Sequence, residues 1–132
     1  MSTLRTNALE GVDAKNSITI VAGAGNITTT NVQEGLSKSW SRTNMATATN
    51  LDSLNVSSIS DDATGRFTIN INNDMANANY CATDSADNTT SDTNVSNQIE
   101  GITSSDYEIL HAENGSQVDT TIFSSSVFGD LA

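Results

Sequence analysis

The 132-residue chain has no proline, one cysteine, one histidine, one tryptophan and only five Lys and Arg. Each scarcity excludes something. One cysteine allows no intrachain disulfide. Five cations against sixteen Asp and Glu leave a net charge of -11. Binding nucleic acid requires cations that neutralise phosphates, so no nucleic-acid partner is expected. The same deficit speaks against docking on an anionic membrane surface. No apolar run approaches the roughly 18 residues of a bilayer-spanning helix, so no membrane partner is expected either. Met1-Ser2-Thr3-Leu4-Arg5 lacks a basic region followed by an apolar one, and no signal peptide is expected.

What is present is polar. Ser, Thr and Asn supply 52 of the 132 residues, while Asp, Glu, Lys and Arg make up only 16%. Disordered chains are typically rich in Pro, Lys and Glu instead. Thr favours strands, and Asn and Ser favour turns, so the mixture predicts β-rich structure with many short turns. The aromatic residues are Trp40, Phe67, Tyr80, Tyr107, Phe123 and Phe128. So few large side chains make a thin core, for which oligomerisation is the usual remedy.

Charge divides the chain. Residues 1–66 hold all five basic residues and six acids, whereas residues 67–132 hold ten acids and no Lys or Arg. The first half suits contact with a fixed partner, and the second suits water. Residues 1–16 show no sustained periodicity and read as an arm. Ser17–Ala22 reads as a short β-branched strand, and Gly23-Ala24-Gly25-Asn26 as a loop without phosphate-binding spacing.

Residues 30–40 predict one helix. Thr30 with Gln33, or Asn31 with Glu34, gives a capping-box pattern, and Val32, Leu36 and Trp40 fall on one face. Lys38 and Arg42 suit its C-terminal end. Gly35 weakens it by about 1 kcal/mol relative to Ala. Trp40 then reads as the anchor that packs this helix on the rest of the fold.

Beyond residue 54 the pattern is β. Leu54–Ser60 and Arg66–Asn72 flank Asp61-Asp62-Ala63-Thr64-Gly65, a hairpin turn with a glycine placed for positive φ. Phe67, Ile69 and Ile71 alternate with Arg66, Thr68, Asn70 and Asn72, which describes a half-buried strand. Asn79–Thr83, Val95–Ile99 and Ser126–Gly129 are further strands, and residues 84–94 read as an exposed loop. Tyr107–Ala112 and Gln117–Phe123 flank Asn114-Gly115, a strong hairpin signal. Strands recurring every ~8–12 residues indicate a small antiparallel β-sandwich or knob.

Catalytic chemistry finds no footing. His111 lies in an alternating strand and reads as a cross-strand pair residue rather than a general base. Cys81, among apolar and small residues, reads as a buried, inert thiol. Asp84, Asp87 and Asp92 cluster without the spacing of a calcium loop and read as a solvated loop. Asp61 and Asp62 read as turn formers. Asn26, Asn55, Asn88, Asn94 and Asn114 begin N-x-S/T triplets, which so polar a composition produces by chance. No catalytic residue, cofactor or metal is expected, and the chain reads as non-enzymatic.

Four segments resemble a known family. Thr29-Thr30-Asn31-Val32-Gln33-Glu34-Gly35-Leu36-Ser37-Lys38-Ser39-Trp40 looks like the TTNLQQGLAKAW segment of phage virion proteins, many known as tail-fibre or structural proteins. The stretch from Asn55 through Asp61 and Gly65 to Ile71 is similar to their NVSSITDNGTGDYTVNF. Met75-Ala76-Asn77-Ala78-Asn79-Tyr80 resembles MPDANY, and Val127-Phe128-Gly129-Asp130-Leu131 fits their ending. Met1–Arg5 resembles their leader. The chain departs from the pattern at Ala76, where the family has proline, and across residues 41–54.

The resemblance implies a virion surface component with a β-rich outer module. It also implies trimeric symmetry, and the partners would be phage capsid or tail proteins. Residues 1–28 are then an arm and strand for virion attachment, and residues 29–132 a helix plus β-rich knob. Such a short arm with one small domain reaches only tens of ångströms. That length favours a capsid-attached knob aiding host adhesion over the alternative, a short tail fibre or tail accessory binding a host-surface glycan.

Overall fold

The computed structural model describes residues 19–21, 29–31, 35–87 and 94–132. The chain divides into two units, Met1–Leu36 and Ser37–Ala132. In the first, β1 (Thr19–Val21) pairs antiparallel with β2 (Thr29–Asn31). The strand expected at residues 17–22 is present as β1. The arm at residues 1–16 and the loop at 23–26 lie outside the described residues.

Among its described residues the second unit holds nine strands. They are β3 (Ser37–Asn44), β4 (Thr49–Leu54), β5 (Val56–Ala63), β6 (Arg66–Ile71), β7 (Cys81–Ala86), β8 (Val95–Glu100), β9 (Asp106–Glu113), β10 (Ser116–Gln117) and β11 (Phe123–Phe128). Two antiparallel sheets result. One runs β4-β3-β11-β7, and the other runs β5-β6-β9 with β8 on the far edge of β9 and the short β10 also on β9. The arrangement is β-sandwich-like, as the strand spacing indicated.

The core explains the pairing. Phe67, Ile69 and Ile71 of β6 and Tyr107 and Ile109 of β9 are buried from one sheet, and Phe123 and Val127 of β11 from the other. Met45, Met75 and Tyr80 close the same cluster, with Ala82, Ala86, Val56, Ile59 and Ile99 packed at its margin. In β6 and β9 alternate residues go inward, which follows from a strand period of two. Fully burying each large side chain contributes about 1.5–3 kcal/mol.

Both expected hairpins form. The β5–β6 turn is tighter than the five-residue segment read from the sequence: β5 runs on through Asp61, Asp62 and Ala63, leaving Thr64 and Gly65 at the turn, with Gly65 at φ +70°. Asn114 and Gly115 turn β9 into β10 with φ of +50° and +80°, the paired positive values of a type I′ turn. The strand read over Gln117–Phe123 is shorter, because β10 ends at Gln117 and the chain then crosses to β11 in the opposite sheet.

The helix expected over 30–40 is corrected. Thr29–Asn31 is strand, Ser37–Trp40 opens β3, and residues 32–34 lie outside the described residues. Between β3 and β4 there is only a single 3-10 turn, Met45–Thr47, capped by the Asn44 side chain. The competing signal is a period of two. Ser37, Ser39, Ser41 and Thr43 alternate with Lys38, Trp40 and Arg42, and β3 sits centrally, bonded to β4 and β11 on its two sides. The loop expected at 84–94 is also corrected at its start: Asp84, Ser85 and Ala86 belong to β7, registered on Ser125, Ser124 and Phe123. Residues 88–93 of that loop lie outside the described residues.

Candidate functional site

The alternation of β3 sorts its side chains between two faces. Ser39, Ser41 and Thr43 go inward and are buried. Trp40 and Arg42 go outward, Trp40 half-buried and Arg42 exposed. Strand register extends the outer face. Leu54 of β4 and Ser126 of β11 flank Trp40, while Asp52 and Ser124 flank Arg42. Thr83 and Ser85 of β7 continue these two rows. An open cleft of about 210 Å³ lies along β7 and β11, lined by Thr83, Asp84, Ser85, Ser124, Ser125 and Ser126. Phe128, also half-buried, points to the same face as Ser124 and Ser126.

Trp40 is therefore not the helical anchor read from the sequence. It is on a strand, and neither it, Leu54 nor Phe128 belongs to the side chains packed on the core. The chain's only tryptophan stands on an outer sheet face beside a leucine that is 48% exposed. The signal that places it there is the Ser/large alternation of residues 37–43.

Inward, the two sheets are joined by hydroxyls. Ser41 Oγ meets Ser125 Oγ at 2.9 Å, and Ser125 Oγ meets the Tyr107 hydroxyl at 2.7 Å. Burial pushes the Tyr107 phenol up, and the bonds to Ser125 and Ser41 work against that rise. Tyr80 donates to the Asp106 carbonyl at 3.0 Å. Its pKa is pushed up to about 12, chiefly by burial and further by Tyr107 and Asp106. These hydroxyls each have a partner, and their hydrogen bonds offset the cost of burial while tying the two sheets together.

His111 behaves as the cross-strand residue the sequence suggested. It is registered on Asn97 of β8, whose Oδ1 lies 2.8 Å from its Nδ1. Its Nε2 lies 3.4 Å from Glu113 Oε1, and its ring meets Phe123 edge-on with centroids 6.3 Å apart. Both His111 and Glu113 are buried. On the outer face of the other sheet Arg66 bridges Glu100 and Glu108, which raises the guanidinium pKa, first through its hydrogen bond to Glu100.

The remaining candidates separate. Cys81 is exposed, which overturns the buried thiol. Tyr80 before it and Ala82 after it turn toward the core, so strand parity turns Cys81 outward. Asp84 is half-buried in β7, Asp87 is exposed just past it, and Asp92 lies outside the described residues. Among the described residues no group of three or more His, Cys, Asp or Glu is placed to hold a metal ion. Asp61 and Asp62 are exposed at the end of β5, and Asp62 accepts from the Thr68 hydroxyl at 2.7 Å. Asn55 is a structural tie: at φ +56° it bonds the Lys38 carbonyl and both main-chain groups of Asn73. Asn114 sits in its turn and Asn94 is exposed beside β8, while Asn26 and Asn88 lie outside the described residues.

No family model, no curated protein and no solved structure matches the chain.

Proposed function

We propose that the chain is a non-enzymatic structural protein of a bacteriophage virion, a homotrimeric knob held on the capsid exterior by its N-terminal arm and aiding host adhesion. It would be assembled in the host cytoplasm and end at the virion surface. One observation carries the reading: three of the four segments that resemble phage virion proteins, all within Ser37–Ala132, adjoin one another in space. Asn55–Ile71 is the β5–β6 hairpin with the strand's entry residue. Met75 pairs with Leu131, and the Ala76 N–H donates to the Asp130 carbonyl. A Cβ on Gly129 would come within 2.9 Å of Tyr80 Cβ and 3.1 Å of Met75 Cε. Asn55 ties the hairpin to Asn73. The resemblance thus falls on neighbouring parts of one structural unit, which supports reading those parts together.

The charge division supports the orientation. Residues 67–132 carry ten acids and no Lys or Arg, and bringing them against an acidic shell would cost desolvation and repulsion. A second reading, a short tail fibre or tail accessory that binds a host-surface glycan, is favoured by the half-buried Trp40 on the outer sheet face, registered on Ser126 of the hydroxyl-lined cleft. Sugars stack on aromatic faces and bond hydroxyls at their edges. Negative-stain microscopy of particles labelled with an antibody to this chain tests the proposal. Label on the capsid supports it, label confined to the tail selects the second reading, and unlabelled particles reject both.

A further inference from the structure

We infer that the outer face of the β4-β3-β11-β7 sheet, centred on the Leu54–Trp40 and Asp52–Arg42 cross-strand pairs, is where a second copy of this chain docks. The inference rests on the homo-oligomer part of the proposed function and on none of its virion part.

Three observations carry it. The first is the position of Trp40. A chain with six aromatic residues places its only tryptophan outside its core, opposite exposed Leu54. Leu51, at the register shift of the edge strand β4, is 52% exposed as well. An edge strand that shows leucines to solvent invites another chain, and native folds leave such edges uncovered only when charge or shape protects them.

The second is charge. Ser37–Ala132 holds thirteen acids and three cations, Lys38, Arg42 and Arg66. Arg66 is engaged with Glu100 and Glu108 on the opposite sheet. Two copies of so acidic a unit associate only through a surface poor in carboxylates. In the two central rows of this face Asp52 is the one carboxylate, and it lies beside Arg42.

The third is complementarity within that pair. Arg42 and Asp52 are direct register partners, yet among the described residues neither closes an ion pair. In a cyclic assembly whose copies share one face, a residue of one copy meets its counterpart's neighbour on the next, so that face must carry both partners of each pair. An adjacent cation and anion that form no ion pair with each other, Asp52 accepting among the described residues only from the Ser53 N–H, satisfy that condition beside an apolar pair. Arg42 of one copy faces Asp52 of the next, while Trp40 and Leu54 of the copies pack together. Trp and Arg are also the side chains that dominate such interfaces.

The test is the solution mass of the full chain by light scattering and sedimentation. The wild-type chain is expected at a multiple of 13.8 kDa. Arg42→Asp and Asp52→Arg each place like charges together and should lower the mass to that of one chain. The double variant restores the pairing and should restore the mass. Trp40→Ser should also give single chains, and Leu110→Asn on the opposite sheet should change nothing. Circular dichroism accompanies each variant. If Trp40→Ser fails to fold, the charge-exchange set decides alone, since it alters only exposed ends. A monomeric wild-type chain overturns the inference, as does a mass insensitive to Arg42→Asp or a double variant that stays monomeric. A wild-type monomer whose Trp40 fluorescence shifts only on adding phage particles assigns this face to a virion protein and overturns it too. The mass measurements do not bear on whether the chain belongs to a virion, which antibody labelling reads separately.

Discussion

The carbonyl oxygen of His111 lies where a side chain on residue 65 would begin: a Cβ built on Gly65 would stand 2.5 Å from it. The Gly65 carbonyl accepts from the His111 N–H at 2.8 Å, and the Gly65 N–H donates to Asp119 Oδ1 at 2.6 Å. The β5–β6 turn is thus pressed onto β9 and the segment after β10. Gly65→Ala combines a left-handed φ of +70° with a clash against backbone that cannot swing away. The expected loss is about 2–4 kcal/mol in urea unfolding. Gly115→Ala provides the contrast. That residue also has positive φ but nothing within 4 Å of an added Cβ, so only the conformational term of about 1 kcal/mol applies. Equal losses at the two sites would mean that the close approach of Gly65 to His111 contributes nothing.

Tyr107→Phe removes a hydroxyl that spans the two sheets but leaves Ser41 and Ser125 bonded to each other. Because no buried partner is stranded, the expected cost is about 1 kcal/mol, the net value of one hydrogen bond. Ser125→Ala breaks both of these bonds, leaves the buried Tyr107 hydroxyl with Ser41 alone, and should cost about 1–3 kcal/mol. The ordering of the two variants by denaturant midpoint is the result to check.

The residues that were readable from sequence are those whose environment repeats locally. Phe67, Ile69 and Ile71 alternate with polar residues, and Asn114-Gly115 and Gly65 encode turns through their own backbone preferences. β3 was obscured because its inward residues are Ser39, Ser41 and Thr43, which carry no apolar signal. Their burial is set by Tyr107 and the other large side chains of the opposite sheet, far away in sequence. The chance spacing of Val32, Leu36 and Trp40 then imitated a helix. β4 is an edge strand exposed along most of its length, so neither face imposes a pattern. Cys81 misled in a related way: its sequence neighbours are apolar, but parity in β7 sends it to the other face. The outer-face pairs Leu54–Trp40 and Asp52–Arg42 needed the register of two strands, neither of which the sequence announced.

Stability at high pH should reveal the buried phenols. Tyr80 titrates near 10 when unfolded and at about 12 in the folded chain, and Tyr107 is also raised. The folded state therefore holds its phenolic protons more tightly than the unfolded one. This contribution is fully present below pH 10 and is lost as pH rises from about 10 to about 12. The denaturant midpoint should fall across that window, and less so in Tyr80→Phe. Tyrosinate absorbance should develop at higher pH in the native chain than in the denatured one. Coincident titration curves would contradict the burial of these phenols.

Trp40 and Phe67 should respond unequally to truncation. Phe67 is buried at the centre of the core, 1% exposed and flanked by Ile109 across β9. Phe67→Ala leaves a cavity between the sheets, and the expected loss is about 3–5 kcal/mol. Trp40 packs on the outside of its sheet, where water relaxes into the vacated space and no cavity forms. In dilute solution, where copies are apart, Trp40→Ala should cost less than about 1.5 kcal/mol, within the range of ordinary surface and half-buried changes. The measurement is urea unfolding of both variants beside wild type, at a concentration where light scattering gives a single chain. A loss at Trp40 as large as that at Phe67 would place the indole in the stabilising core, and the outer sheet face would then have no aromatic centre.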